Sequence, residues 1–264
     1  MESASFRPVR SLERALRLLD FMRMNGGPGL GVSELSRALG LSKAVVFRLL
    51  RTLEQYGYVV QEADRRYRLG TKPLELASVV LRQFEVRQVA WPMMLALAER
   101  TGESVVLTVP GPDGVICVDT VDSPQQLRVS FRVGRITPWH AGAAGKLHLA
   151  FLPKEKIQKI LSQGLPRYTE RTITDPALLL QELEQIRKQG YAFTIGELDP
   201  GVAAITAPIF DARQNVVAAI SIGGPASRFT DERLPTLIRE VRWAAQEISL
   251  RLLGGQLPQW EIAH

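Results

Sequence analysis

The alternation of apolar and polar positions is most regular over residues 32–56, where it predicts two short helices separated by a turn at residues 38–41. The inward positions of the second helix share the i, i+3, i+4, i+7 spacing and are Val46, Leu49, Leu50 and Leu53. Those of the first helix are Leu35, Ala38 and Leu39. Ser33 and Ser42 are the expected N-caps, because a serine hydroxyl can accept a hydrogen bond from a first-turn amide. Two helices joined by a turn of this length form a helix-turn-helix.

The opposite face of the second predicted helix is rich in cations and comprises Lys43, Ala44, Phe47, Arg48 and Arg51. A helix that is apolar on one side and cationic on the other suits the major groove of DNA. An amphipathic helix pair with a solvated basic face is the alternative. The following residues favour DNA binding, because 58–61 and 67–69 are predicted strands of a hairpin with arginines at its tip. A hairpin in this place is typical of a winged helix.

Individual roles follow from position along this predicted helix. The residues expected to reach base edges lie near its start and are Ser42, Lys43, Ala44, Phe47 and Arg48. A lysine or arginine there can pair with guanine, and Phe47 can touch a thymine methyl. The residues expected to meet phosphate or the minor groove are Arg51, Arg65 and Arg66, together with Arg7 and Arg10 before the first helix. A solvated surface charge is the alternative for each arginine.

Two further helices flank this region. The first spans residues 10–24, and its apolar stripe comprises Leu12, Ala15, Leu16, Leu19 and Met22. The second follows a break at residues 70–73, and its seam comprises Leu74, Ala77, Leu81 and Phe84. We interpret residues 71–87 as a linker helix, whose seam packs either on a partner chain or on its own domain.

The charge distribution supports a polyanionic partner for the N-terminal part alone. The 264-residue chain has a formal net charge of +6. Residues 1–70 contain twelve Lys/Arg and seven Asp/Glu, whereas the rest of the chain contains 21 and 20. The single cysteine, Cys117, excludes an intramolecular disulfide and fits a reducing compartment. Because no apolar run reaches the roughly 18 residues of a membrane span and residues 1–10 lack a secretory signal, we expect a cytoplasmic protein without a membrane partner.

The C-terminal part reads as an α+β domain with an antiparallel sheet. Its predicted strands are 104–109, 115–121, 127–133, 191–195, 202–210 and 216–223. Its predicted helices are 90–100, 140–151, 154–162, 175–189 and a long C-terminal helix capped at Thr230. The inner face of this last helix comprises Leu234, Leu237, Ile238, Val241, Ala245, Ile248 and Leu252. Residues 254–264 are expected to form a loosely held tail.

The segment HAGAAGK, residues 140–146, opens one of these helices with small side chains. Free amides at a helix start bind anions, and small side chains let a ligand approach them. The segment therefore indicates a carboxylate site, although close packing of the helix on the sheet also favours glycine and alanine.

Catalysis finds little support. The three histidines are His140, His148 and His264, and no HExxH, GxSxG, P-loop or GxGxxG pattern occurs. A triad of His140, Ser221 and an acid has no supporting spacing. We therefore predict no enzyme activity, no cofactor and no metal.

Three blocks of the chain resemble the signature blocks of the IclR family of bacterial transcription regulators. They are LSKAVVFRLLRTLEQYGYV, GRITPWHAGAAGKLHLAF and GYAFTIGELDPGVAAITAPIFDARQNVVAAISIGGPASRF. The similarity extends from about Arg10 to Leu252. It implies an N-terminal winged helix, a linker helix, and a C-terminal GAF/profilin-like domain that binds a small effector. It also implies homodimers, often paired into tetramers on double-stranded DNA.

The resemblance also assigns effector contacts. Ala143 and Ala144 match positions whose amides hold the effector, and Ser221 matches a hydroxyl contact. The matching lining positions are Val129, Thr137, Val202 and Ala204. The chain departs from the family at Gly223, where a second serine is common, and at Thr194, where an acid often lies. These departures favour a larger or more apolar acid, such as an aromatic one, over a small polar acid. Glu197 and Asp199 are interpreted as solvated loop carboxylates, with ligand contact as the alternative.

The sequence therefore predicts a regulator with three parts, namely a DNA-binding domain (10–70), a linker helix (71–87) and an effector-binding, oligomerising domain (88–254). Its affinity for a near-palindromic operator is expected to respond to a small carboxylic acid. The alternative is an architectural DNA-binding protein that uses its C-terminal domain only to oligomerise.

Overall fold

The computed structural model describes residues 8–25, 27–82 and 85–253. The chain divides into two compact units between residues 83 and 84. The predictions for Arg7, for Phe84 in the linker seam, and for the tail with His264 lie outside the described residues.

Within residues 8–25 and 27–82, the first unit has four helices and a two-stranded hairpin. In chain order they are α1 (Arg10–Asn25), α2 (Val32–Leu39), α3 (Lys43–Gln55), β1 (Val59–Gln61), β2 (Tyr67–Leu69) and α4 (Lys72–Arg82). Its buried core comprises Leu18, Met22, Leu30, Leu35, Val46, Leu50, Val59 and Tyr67. The predicted helix-turn-helix and hairpin are confirmed. The β1–β2 hairpin is called the wing below. Leu30 pairs with Tyr67 through two backbone hydrogen bonds of 2.9 Å, which adds a third extended segment to the wing.

The structure corrects several local predictions in this unit. In α1, Leu12 and Leu16 are exposed, whereas Leu18, which lay outside the predicted stripe, is fully buried. Ala38 in α2 is also exposed. The N-cap of α2 is Gly31 rather than Ser33, because the Glu34 carboxylate reaches back to accept the Gly31 amide at 2.7 Å. The buried face of α1 is therefore displaced from the predicted stripe, whereas Leu35 and Leu39 of α2 pack in the core as predicted.

The second unit places helices on both faces of one antiparallel sheet. Its strands are β3 (Ser104–Pro110), β4 (Val115–Val121), β5 (Ile136–Thr137), β6 (Ala192–Ile195), β7 (Val202–Phe210) and β8 (Val216–Pro225). Their order across the sheet is β5-β4-β3-β8-β7-β6. Its helices are α5 (Glu85–Thr101), α6 (Ala143–Ala150), α7 (Lys154–Ser162), α8 (Pro176–Gln189) and α9 (Leu234–Leu252).

Alternation along β7 separates two environments. Ala203, Ile205, Ala207 and Ile209 are at most 1% exposed, and α5 and α9 pack against the sheet on this side. The intervening residues, including Ala204 and Thr206, face the side where α6 and α8 pack. A second buried cluster forms there around Leu147, Leu179, Leu183 and Ile186. The predicted α+β class with an antiparallel sheet is confirmed.

Four predicted boundaries in this unit were wrong. The helix expected over residues 90–100 begins five residues earlier, at Glu85, and so includes residues 85–87 of the predicted linker helix. Residues 127–133 form no strand, and the edge strand is instead β5, which pairs Thr137 with Val115. The helix expected from residue 140 begins at Ala143, after a Gly142 with φ of 78°. α9 begins at Leu234, because a backbone turn on Thr230 precedes the helix.

Replacing Gly145 is predicted to destabilise the fold, because α6 packs here directly against the backbone of Pro138 and Trp139. A Cβ at this position would sit 2.0 Å from the carbonyl oxygen of Pro138, so backbone would have to move. Gly145→Ala should lower the free energy of unfolding by about 3 kcal/mol, at the upper end of overpacking penalties. Chemical denaturation of the full chain measures this change.

Gly27→Ala is the matched control, since a Cβ there meets no atom within 4 Å and its φ is not in the left-handed region. Equal stability of the two variants would show that α6 can shift away from Pro138.

Candidate functional site

The outward face of α3 is solvent-exposed along its length. Lys43, Ala44, Phe47, Arg48 and Arg51 are all exposed, and Phe47 retains 50% of its accessible surface. Ser42 caps the helix by accepting the Val45 amide at 3.4 Å, as predicted. The inward side chains Val46 and Leu50 are fully buried, so the orientation of this face is fixed by the core.

The arginines around α3 differ in whether their guanidinium groups are already paired within the protein. Arg66 donates to the Gly29 carbonyl from Nε and Nη2, at 3.0 and 2.8 Å, and pairs with Glu34 at 3.0 Å. Its guanidinium therefore fastens the wing to α2. Arg51 pairs with Glu54 at 2.7 Å on the same helix. Arg65 lies at the hairpin tip with φ of 63° and is exposed, so phosphate contact suits it better than Arg66.

A cavity of about 690 Å³, its open mouth included, lies in the second unit between the sheet and the start of α6. This size is in the range of small-molecule sites. Its lining comprises Val106, Thr108, Cys117, Phe131, Arg135, Thr137, Gly142, Ala143, Ala144, Thr194, Glu197, Leu198, Asp199, Val202, Ala204, Thr206, Ser221 and Ile222. Seven of the nine predicted effector contacts thus lie around one space.

The other two predicted contacts, Val129 and Gly223, are not part of this lining. The Val129 carbonyl instead accepts a hydrogen bond from Ser104 at 2.7 Å. A Cβ on Gly223 would lie 2.6 Å from the ring of Phe131. The aromatic ring occupies the space that a serine side chain would need, which explains the departure at this position.

The sheet supplies a polar row to the cavity. Thr206 on β7 is directly opposite Ser221 on β8, and Ser221 is opposite Val106 on β3. The two hydroxyls are hydrogen-bonded at 2.8 Å and are buried. Sequence reasoning found Ser221 but missed Thr206, although its position two residues after Ala204 on the same strand is a usable signal.

The start of α6 faces the same space. Its N-cap is Gly142, whose φ of 78° suits glycine and which has no side chain to cap the helix. First-turn amides have no acceptor within a helix, so those of Ala143 and Ala144 are suited to an anionic ligand.

Lys146 is the most unexpected residue of the site. It is fully buried, and its ammonium donates to Glu182 on α8 and, at 2.6 Å, to Glu197 in the β6–β7 loop. Glu197 is only 9% exposed, so its interpretation as a solvated loop carboxylate was wrong. Burial raises the pKa of Glu197, while the Lys146 charge and the Gly142 amide oppose that rise. No donor among the described residues makes a well-aligned hydrogen bond to its second oxygen, Oε2.

At the mouth of the cavity, Arg135 Nη2 donates to Asp199 Oδ2 at 2.7 Å. The two side chains are 38% and 46% exposed although both line the cavity, which places them at its boundary with solvent. Sequence reasoning missed Arg135, because no pattern marks a lone arginine in a turn as a cavity residue.

Thr108 lies on β3 two residues beyond Val106, and its hydroxyl is within 3.2 Å of His148 Nε2. Burial lowers the pKa of His148 to about 4, so the imidazole is neutral at pH 7. Burial also raises the pKa of the Cys117 thiol to about 11, which leaves it protonated and unreactive. His140, the other described histidine, is occupied by the Pro166 carbonyl at 2.8 Å.

Residues 8–25, 27–82 and 85–253 contain no candidate metal site and no candidate membrane-spanning helix. No group of three or more His, Cys, Asp or Glu side chains could hold a metal ion. Among the helices described, none combines the length and apolar character needed to cross a membrane.

Comparison with known proteins identifies the family of the chain. Residues 11–63 match the IclR helix-turn-helix domain model, and residues 78–250 match the model of the bacterial transcriptional regulator IclR C-terminal domain. The chain is 37% identical over 226 residues to the HTH-type transcriptional regulator KipR of Bacillus subtilis, covering 85% of this chain and 90% of that protein.

Two solved structures are similar over nearly the whole chain. An IclR transcriptional regulator from Alicyclobacillus acidocaldarius has a TM-score of 0.80 at 27% identity, covering 93% of this chain and 100% of that one. An IclR homologue from Microbacterium hydrocarbonoxydans, solved in complex with 4-hydroxybenzoate, has a TM-score of 0.77 at 27% identity, covering 92% and 98%.

The buried His148 should make stability pH-dependent. Because its folded pKa of about 4 lies below the usual 6.5, the unfolded chain binds more protons between these values. Its contribution to stability is complete above pH 6.5 and is lost as the pH falls towards 4. Between pH 7 and pH 5 the loss should be about 2 kcal/mol.

Urea unfolding at both pH values measures this loss, with His148→Gln as comparison because its amide can still reach Thr108. The pH-dependent difference should shrink by about 2 kcal/mol in the variant. An unchanged difference would mean that His148 becomes charged in the folded state.

Proposed function

Because the chain belongs to the IclR family of bacterial transcriptional regulators, we propose that it binds an operator through α3 and the wing, under the control of an acidic small molecule in the cavity. The protein is a regulator and not an enzyme. The observation that carries the proposal is the coexistence of an exposed basic helix face in one unit and a ligand-sized cavity in the other.

The DNA contacts are proposed to divide into base reading and phosphate binding. Lys43, Phe47 and Arg48 lie in the first two turns of α3 and are exposed, as base readers in the major groove need to be. Ser42 and Ala44 border the same helix start. Arg51 and Arg65 are placed for phosphate, whereas Arg66 acts mainly by holding the wing in place.

The regulator is proposed to act as a dimer that reads a near-palindromic operator. Apolar side chains on α1 and α4 have no cover within their own unit. They are Val9, Leu12 and Leu16 near or on α1, and Leu74, Leu76, Val79 and Val80 on α4. Such patches mark association surfaces. Of the predicted seam, Leu74 and Ala77 are exposed, whereas Leu81 is half-buried. The exposed apolar residues favour packing of α4 on a partner chain over packing on its own domain, and pairing of dimers into tetramers is compatible with it.

The effector is proposed to be a carboxylic acid with an apolar body, such as an aromatic ring. The helix start at Ala143 and Ala144 suits the acid group, and the Thr206–Ser221 hydroxyl pair provides polar contacts. Thr137, Thr194, Val202 and Ala204 complete the walls. The relative from Microbacterium hydrocarbonoxydans, crystallised with 4-hydroxybenzoate, supports this class of ligand.

Control is proposed to pass through the linker helix region, residues 71–87. Effector binding would change the spacing of the two winged helices in a dimer and so the fit to two half-sites. This requires the effector to bind one arrangement more tightly than the other. A purely architectural role would leave DNA affinity unchanged by every acid that binds the cavity.

Replacing both Lys43 and Arg48 by alanine should weaken operator binding by about 100-fold or more, because each removes a direct contact worth about 1–3 kcal/mol. Fluorescence anisotropy with a duplex selected from random DNA by the unaltered chain measures this affinity. The Arg213→Ala, Arg239→Ala variant removes the same charge from exposed positions of the second unit. Operator binding that survives in the α3 variant alone would refute the recognition-helix assignment.

Ser221→Ala should weaken binding of an acid by about fivefold, the value of one net hydrogen bond, without changing DNA affinity in the absence of acid. Thermal shift of the full chain against aliphatic and aromatic acids finds the ligand, and calorimetry then compares variants. Ser162→Ala, on exposed α7, is the matched control. If the unaltered chain and both variants bind the acid with equal affinity, the effector does not contact Ser221 on β8.

A further inference from the structure

The cavity lining holds one cation, Arg135, and two acids, Glu197 and Asp199, among the residues that the structure describes. Glu197 is already paired with the buried Lys146, at 2.6 Å, an ammonium that it shares with Glu182. Arg135 is therefore the cation that an acidic ligand can reach, and its present partner is Asp199. This charge arrangement bears directly on which ligands the cavity accepts.

The pair also joins parts of the fold that are far apart along the sheet. Arg135 directly precedes β5, and Asp199 follows β6, and these are the two outer strands of the six-stranded sheet. In a flat sheet the outer strands would be about 24 Å apart, from five spacings of about 4.8 Å. The 2.7 Å contact therefore spans the open mouth of the cavity, and the sheet must curl to bring its two outer strands together.

The two ends of this contact are held by their backbones. The Arg135 carbonyl accepts the Cys117 amide at 3.0 Å, and the carbonyl of Asp199 accepts the Val202 amide at 3.2 Å. Nearby in the same loop, the Glu197 carbonyl accepts from Thr172 at 2.7 Å. With both backbones anchored, exchange of partners needs movement of the side chains only.

We propose that Arg135 selects acidic ligands, and that Asp199 is an internal competitor which the carboxylate of the ligand replaces. Half-exposed ion pairs contribute little free energy, so this pair can be exchanged readily. Arg135 has five N–H donors, and a ligand carboxylate can take two of them in parallel. Asp199 thereby sets the concentration of acid at which the cavity fills. This inference rests on the proposed effector role of the cavity, in which Arg135 and the amides of Ala143 and Ala144 line the same space and share the oxygens of one carboxylate.

The test compares benzoate with benzamide, which have nearly the same shape but differ in charge, by calorimetry on the full chain. Asp199→Asn should strengthen benzoate binding by about fivefold, the upper value for an exposed ion pair, and leave benzamide unchanged. Arg135→Gln should weaken benzoate by about tenfold or more and also leave benzamide unchanged. Arg132→Gln, an exposed arginine three residues away, is the control and should match the unaltered chain.

Three results would overturn the proposal. The first is equal benzoate and benzamide affinity in the unaltered chain, which leaves the cavity a ligand site but removes charge selection by Arg135. The second is benzoate binding that weakens equally in the Arg132 and Arg135 variants. The third is no benzoate binding to either the unaltered or the Asp199→Asn chain. Failure of the proposed function would be seen in a separate measurement, in which a bound acid leaves the affinity for operator DNA unchanged.

Discussion

The second unit depends on one buried ammonium group. Lys146 has no exposure to water and is held by carboxylates from α8 and from the β6–β7 loop. An ammonium cannot stay charged in an apolar interior without such partners, so the three elements must come together for the domain to form. The fixed position of Lys146 on α6 also fixes Gly142, Ala143 and Ala144 one turn earlier. The ion pairs of Lys146 therefore also hold in place the helix start that lines the cavity.

The first unit depends on a different kind of constraint. Its core is small, and the wing is secured by Arg66, which bridges the Gly29 carbonyl and the Glu34 carboxylate. The same carboxylate caps α2, and the Gly31 amide is the main cause of the lowered pKa of Glu34. The segment before α2, the start of α2 and the hairpin are therefore linked through one polar network. No residue of α3 takes part in it, so the outward face of α3 is left free.

Local periodicity predicted what depends on neighbouring residues. Val46 and Leu50 were placed inward because helical spacing alone determines their face. The same reasoning was wrong for Leu12 and Leu16, since an apolar stripe does not reveal whether its own core or another surface will cover it. Residues 127–133 have strand-like alternation, but alternation alone does not show whether a strand will pair with them, and the Val129 carbonyl instead accepts the Ser104 hydroxyl. Lys146 could not be foreseen, because its partners lie 36 and 51 residues further along the chain.

Alternation along the central strands has a consequence for how such a protein can diversify. On β7, Ala203 and Ile205 pack against helices, while the alternate residues Ala204 and Thr206 face the cavity. A substitution on the cavity side leaves the helix-packed layer untouched, so ligand preference can drift by single steps without loss of the fold. The sheet separates what must be conserved for folding from what is free to adapt to a new metabolite.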